Sequence, residues 1–121
     1  MRRWLLVTLL GSMGLPCVAP AQEYKQPFDL KTPAVIAEGQ TLFNRRCAGR
    51  CHGVDGSEGE LGSTLAGKPY LTPPYDLAIL LGGRPGTAMP SWAGRLSDDE
   101  LWKIIAFLSS LADRAEAGAQ K

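Results

Sequence analysis

Apolar side chains near the end of the chain recur at Leu101, Ile104, Ile105, Leu108, Leu111 and Ala112, the three- and four-residue spacing of one helix face. Ser97-Asp98-Asp99-Glu100 precedes that stripe as a capping box, with the serine hydroxyl accepting from first-turn amides and the glutamate reaching back. The pattern predicts a C-terminal helix that frays after Arg114. A second helix is predicted from Thr32-Pro33, with threonine as N-cap and proline at the first helical position, to about Cys47. Val35, Gly39, Leu42 and Phe43 share one of its faces, and Gly39 makes sense there only where another helix crosses closely. Thr72-Pro73-Pro74 opens a shorter helix through Leu81, which Gly82-Gly83 ends. Glycine recurs through residues 53–70, and a second irregular stretch covers residues 82–96. No alternation of apolar and polar residues marks a strand. The expected fold class is therefore all-α, with three to four helices and Gly/Pro-rich loops.

The start of the chain has a different pattern. Arg2 and Arg3 precede a mostly apolar run from Trp4 to Leu10, and Ala19-Pro20-Ala21 fits a small-x-small cleavage site. Residues 1–21 read as an export signal cut after Ala21, which predicts a periplasmic protein. A retained membrane anchor is the alternative, although Gly11, Gly14, Pro16 and Pro20 make a poor spanning helix. Cleavage leaves residues 22–33 as an extended polar leader, 34–113 as one domain and 114–121 as a frayed tail. It also removes two of 13 basic side chains, leaving 11 against 12 acidic ones. That near-neutral balance argues for neither nucleic acid nor an anionic lipid surface. The mature chain is expected to be a monomer with no membrane span. A domain of this size is marginal on its own apolar core and gains from a staple or a cofactor.

The candidate chemistry lies in Cys47-Ala48-Gly49-Arg50-Cys51-His52. Two thiols about one helical turn apart, with a histidine directly after the second, match covalent haem attachment except for one extra residue between the cysteines. On a helix both i+3 and i+4 lie near the face of position i, so both sulfurs can reach a flat macrocycle. Gly49 permits a local bulge in the insert, and single attachment through Cys51 stays open. The mature chain holds one histidine, His52, and one methionine, Met89, in a loop that Pro85 and Pro90 stiffen. A His/Met pair is a recognised haem ligation that raises the reduction potential. Three plainer readings compete: a strained disulfide between Cys47 and Cys51, part of a zinc site lacking its fourth ligand, and Met89 as core filler.

Taken in order, Cys47, Cys51-His52-Gly53, Asp55-Gly56 and Met89-Pro90 resemble the class I cytochromes c, most of all the bacterial single-haem kind. The resemblance covers residues 34–112. It implies a small class I cytochrome c fold around one covalently bound haem c per chain. Cys47 and Cys51 would provide the thioethers, and His52 and Met89 the axial iron ligands. It also implies that Gly39 and Phe43 meet Ile104 and Phe107 where the first and last helices cross. The family commonly has a Gly-Pro-x-Leu stretch whose proline carbonyl accepts from the proximal histidine; Gly62-Ser63-Thr64-Leu65 matches it without the proline, which leaves the acceptor unassigned.

With two axial ligands, the expected role is one-electron transfer rather than enzymatic turnover. The first expectation is a periplasmic carrier between a dehydrogenase and an oxidase or another cytochrome. A quinoprotein alcohol dehydrogenase is the named donor, from a loose family likeness around Gly83–Pro90. The alternatives are a haem subunit of a stable dehydrogenase complex and a ligand-binding haem protein in which Met89 is displaceable. Trp92 and Trp102 read as packing residues, with Trp102 beside the last helix's stripe, over the haem pocket or a partner surface. Arg45, Arg46, Arg50, Arg84 and Arg95 flank the site as a basic rim or as propionate partners.

Overall fold

A computed structural model describes residues 23–120. The expected export signal lies outside them. The described chain is all-α: helix α1 spans Pro33–Phe43, α2 Pro73–Gly82 and α3 Asp98–Ala119, with no strand among these residues. Helix α1 continues without a break into a wider π-helical stretch, Asn44–His52, and a single 3-10 turn follows at Val54–Gly56. No helix among the described residues is long and apolar enough to cross a membrane.

The frame is the crossing of α1 on α3. A Cβ on Gly39 would stand 1.9 Å from the Lys103 carbonyl oxygen, so only a hydrogen at that position lets the two backbones approach. One turn along, Phe43 and Phe107 pack with ring centroids 5.2 Å apart and tilted planes. Outside the crossing, Lys103 Nζ meets Glu38 Oε2 at 2.8 Å. The middle of α3 is buried beyond a single stripe: Trp102, Ala106 and Phe107 are covered along with Leu101, Ile104, Ile105 and Leu108. Packing of α1 and α2 on it accounts for this, and it places Trp102 in the core rather than over the cavity described below.

Both ends of the described chain depart from expectation. Within the leader, Leu30 is buried, and Tyr24 and Phe28 pack against the core. The expected fraying after Arg114 is not seen; α3 stays helical to Ala119, with Ala115, Glu116 and Ala117 favouring the helix against the cost of Gly118.

Caps differ from one helix to the next. Thr32 and Thr72 have extended backbone before their prolines, yet neither hydroxyl caps, contrary to expectation for Thr32. Proline at the first position already removes one of the amides in need of a partner. At α3 the capping box is complete: Glu100 N–H donates to Ser97 Oγ at 3.2 Å, and Ser97 N–H donates to Glu100 Oε2 at 2.9 Å. That donated amide holds the Glu100 carboxyl below the usual glutamate range. Ser97→Ala should lower unfolding stability by about 1 kcal/mol. An unshifted denaturation midpoint would mean that the cap does not form in solution.

Candidate functional site

The wide π-helical stretch is where the sequence carries its extra residue. Gly53 N–H reaches back five residues to the Ala48 carbonyl at 3.2 Å, and Gly49 breaks the helical path with φ 29° and ψ −129°. A positive φ of this kind favours glycine. Ala48 is buried, whereas Gly49 and Arg50 are exposed, and Arg50 Nε pairs with Glu60 Oε2 at 3.0 Å. Cys47 and Cys51 are both free thiols. Cys47 is buried, which pushes its thiol up to about 12, with the neighbouring Cys51 adding to the rise and Arg46 opposing it. Cys51 is exposed.

A hydrogen-bonded loop holds the histidine. Gly62 N–H donates to the Cys51 carbonyl at 2.8 Å, and the Glu60 and Leu61 amides converge on the Arg50 carbonyl at 3.0 Å. A Cβ on Gly62 would come within 2.8 Å of the His52 ring, so the loop lies flat against the imidazole. Asp55 fastens the same region to α1, accepting from Gln40 Nε2 at 2.9 Å and Asn44 Nδ2 at 2.8 Å, bonds that keep its carboxyl below the usual range. His52 Nδ1 lies 2.9 Å from the Ser63 carbonyl oxygen. A carbonyl only accepts, so Nδ1 carries the proton, and in the neutral ring the lone pair is on Nε2. Ser63 thus provides the acceptor that the sequence left unassigned, at the position where the family pattern has proline.

Met89 sits in a closed loop after α2. The Arg84 amide donates to the Met89 carbonyl at 3.1 Å, Thr87 Oγ1 donates to the Arg84 carbonyl at 2.7 Å, and Trp92 N–H donates to the Leu80 carbonyl at 2.7 Å. A cavity of about 290 Å³ lies between these elements. Cys47, Cys51, His52 and Met89 all line it, and Phe43, Leu80, Ile104 and Leu108 provide apolar wall. Of the five flanking arginines, the fold brings Arg46 and Arg84 to the cavity. No three His, Cys, Asp or Glu side chains among the described residues gather as a metal-binding cluster, which a structural zinc site would need.

The family model described as cytochrome c oxidase, cbb3-type, subunit III matches residues 34–108. The chain belongs to this family of c-type cytochromes. It is also 32% identical over 104 residues to cytochrome c55X of Pseudomonas aeruginosa, a match covering 84% of this chain and 79% of that protein. No solved structure matches the chain.

A c-type cytochrome carries haem c, an iron porphyrin bound covalently to the polypeptide, and the cavity fits that group. It joins two thiols, an imidazole with a free Nε2 and a thioether sulfur to apolar walls suited to a macrocycle. It also holds two buried polar atoms that no protein group satisfies, Trp92 Nε1 and Asp76 Oδ2. Buried polar atoms without partners are uncommon; two others, Trp102 Nε1 and Ser109 Oγ, lie away from the cavity, whereas these two face a space where the polar edge of a porphyrin could partner them.

Asp76 escaped the sequence reading. As an acid in the first turn of α2, it looks like an ordinary complement to the helix dipole. It lies, however, three and four residues before Ile79 and Leu80, on the face that lines the cavity. Its exposure is 3%, and burial pushes its carboxyl up to about 7 from the ordinary 3.8. Between those values the folded chain holds a proton that the unfolded chain has released. Folding therefore loses stability as pH rises through that window, and a group that costs stability in a cleft is a functional candidate.

Proposed function

We propose that the chain is a periplasmic one-electron carrier, exported by residues 1–21, whose haem c is held by thioethers from Cys47 and Cys51 with His52 and Met89 as axial ligands. The convergence of these four residues on one cavity carries the reading. When bound, the haem supplies a one-electron iron couple. The chain's residues do the rest. Ser63 holds the imidazole proton at Nδ1, so the ring keeps one orientation and its Nε2 stays available. The bonded loop from Arg84 to Met89 restrains the thioether sulfur, and Phe43, Leu80, Ile104 and Leu108 give the cavity an apolar wall. His52 and Met89 together would leave the iron no position for substrate, which favours passage of an electron over turnover.

Leu61, Tyr70 and Tyr75 are exposed large residues at the margin of the same cavity. A small apolar margin suits brief docking of a dehydrogenase on one side of the transfer and a terminal acceptor on the other. The family description, which names an oxidase subunit, favours a second reading in which the same surface is held permanently by a larger complex. Co-purification with a membrane or periplasmic oxidoreductase at stoichiometric yield would select that reading.

The deciding experiment is a pyridine haemochrome spectrum of periplasmically expressed protein after acid-acetone extraction. Haem should stay with the polypeptide, and its α-band should report two thioethers. Cys51→Ser should abolish stable holoprotein, whereas Cys47→Ser should leave a single-thioether form. Haem extracted from the wild-type chain, or equal tolerance of both substitutions, would sink the covalent assignment.

A further inference from the structure

We propose that Asp76 takes up a proton when the haem iron is reduced, so that this cytochrome's reduction potential depends on pH near neutrality. The inference rests on the proposed haem site and adds to it a residue with no place in the ligand set. Its basis is geometric. Asp76 lies on the cavity wall, is 3% exposed and has a carboxylate oxygen without any protein partner. A charge change in the cavity is screened less at a buried group on its wall than at an exposed one.

The charged and titratable groups that share the cavity do not neutralise it. Arg84 donates to the Tyr75 hydroxyl, and Arg46 comes from the π-helical stretch. Tyr70 enters from the preceding loop, alongside the thiols and imidazole already described. Helix α3 presents Ile104 and Leu108 there, while its Lys103 is engaged with Glu38. Burial is the cause of the raised proton affinity of Asp76, with no ion partner contributing.

The step balances as one electron from a reduced donor protein and one proton from solvent. The ferric iron becomes ferrous, the Asp76 carboxylate becomes a carboxylic acid, and no covalent bond to the porphyrin changes. Reduction removes one positive charge from the cavity, which weakens the hold on a nearby anion and raises the proton affinity of Asp76. The potential is therefore higher at low pH and falls as pH rises between the proton affinities of the two iron states. A tenfold difference between those affinities corresponds to about 59 mV between the two limits.

The test is a spectroelectrochemical titration of the holoprotein across neutral pH, with Asp76→Asn beside the wild type and Asp76→Leu as a second variant in case the amide is not tolerated. The wild-type potential should fall with pH, and that of either variant should be flat over the same range. Reduced-minus-oxidised infrared difference spectra should gain a protonated-carboxyl band that both variants lose. A flat wild-type potential, or a slope that persists in the variants, would overturn the inference, and persistence would assign the proton to another group such as a haem propionate. Haemochrome spectra of the same samples separate the two levels. Retained haem with no Asp76 effect removes this inference alone, whereas haem lost on extraction removes the functional reading together with it.

Discussion

Gly39→Ala is expected to destabilise the protein by about 3 kcal/mol, although alanine is the better helix former. The added methyl would lie 1.9 Å from the Lys103 carbonyl oxygen and 2.6 Å from its carbon. Both atoms are backbone of α3, so no rotamer change relieves the clash and the two helices must separate. Separation also loosens the Phe43–Phe107 contact and one wall of the cavity, which Phe43 lines. A propensity gain of about 1 kcal/mol cannot offset this. For a domain of ordinary stability, such a loss is a large share of the whole. Denaturant unfolding of the holoprotein measures it, and Gly118→Ala provides the internal comparison. Gly118 sits in α3 with nothing within 4 Å of an added Cβ, so that change should be neutral or slightly stabilising. Equal effects at the two glycines would mean that α1 and α3 do not approach as described.

Met89→Ala should leave haem on the polypeptide, lower the reduction potential by on the order of 0.1 V and admit carbon monoxide to the reduced protein at neutral pH. The thioether sulfur is soft and favours ferrous iron, and no other methionine is present among the described residues. The loop should survive the change. It is closed through backbone and Thr87 groups that the substitution leaves in place, and Met89 itself is only half-buried. Loss of the sulfur and collapse of the loop are therefore separable, the second being visible as a fall in unfolding midpoint beyond that of an ordinary half-buried truncation. An unchanged potential with no carbon monoxide binding would take Met89 off the iron and return it to packing.

What could be read from the sequence follows the range of the interactions involved. Helix α3 was legible to its first residue because the capping box and the apolar spacing are local signals. Gly39 was legible as a crossing point, since an interior glycine in an otherwise good helix calls for a close neighbour. The four proposed site residues were legible from their chemistry and scarcity, and the structure brings them to one cavity. The widening of α1 into Asn44–His52 was not legible beyond the freedom of Gly49, because a shift of hydrogen-bond partner from four residues to five depends on what the stretch packs against. Ser63 was hidden for a similar reason: any carbonyl can accept from His52, and only the folded loop selects one. Asp76 was hidden most completely. First-turn acids are common, and whether one is solvated or buried is decided by chain segments far away in sequence. The packed leader residues Phe28 and Leu30 belong to the same class.

The extra residue between the cysteines is absorbed on the solvent side of the stretch, away from the α1–α3 crossing. Gly49 and Arg50 face solvent, an added Cβ on Gly49 meets no atom within 4 Å, and the α1–α3 crossing lies a full turn or more upstream. The spacing of the attachment motif is thereby uncoupled from the core. An interval one residue shorter would leave the helix crossing in place and would have to rebuild only the Arg50 contacts that close the loop over His52.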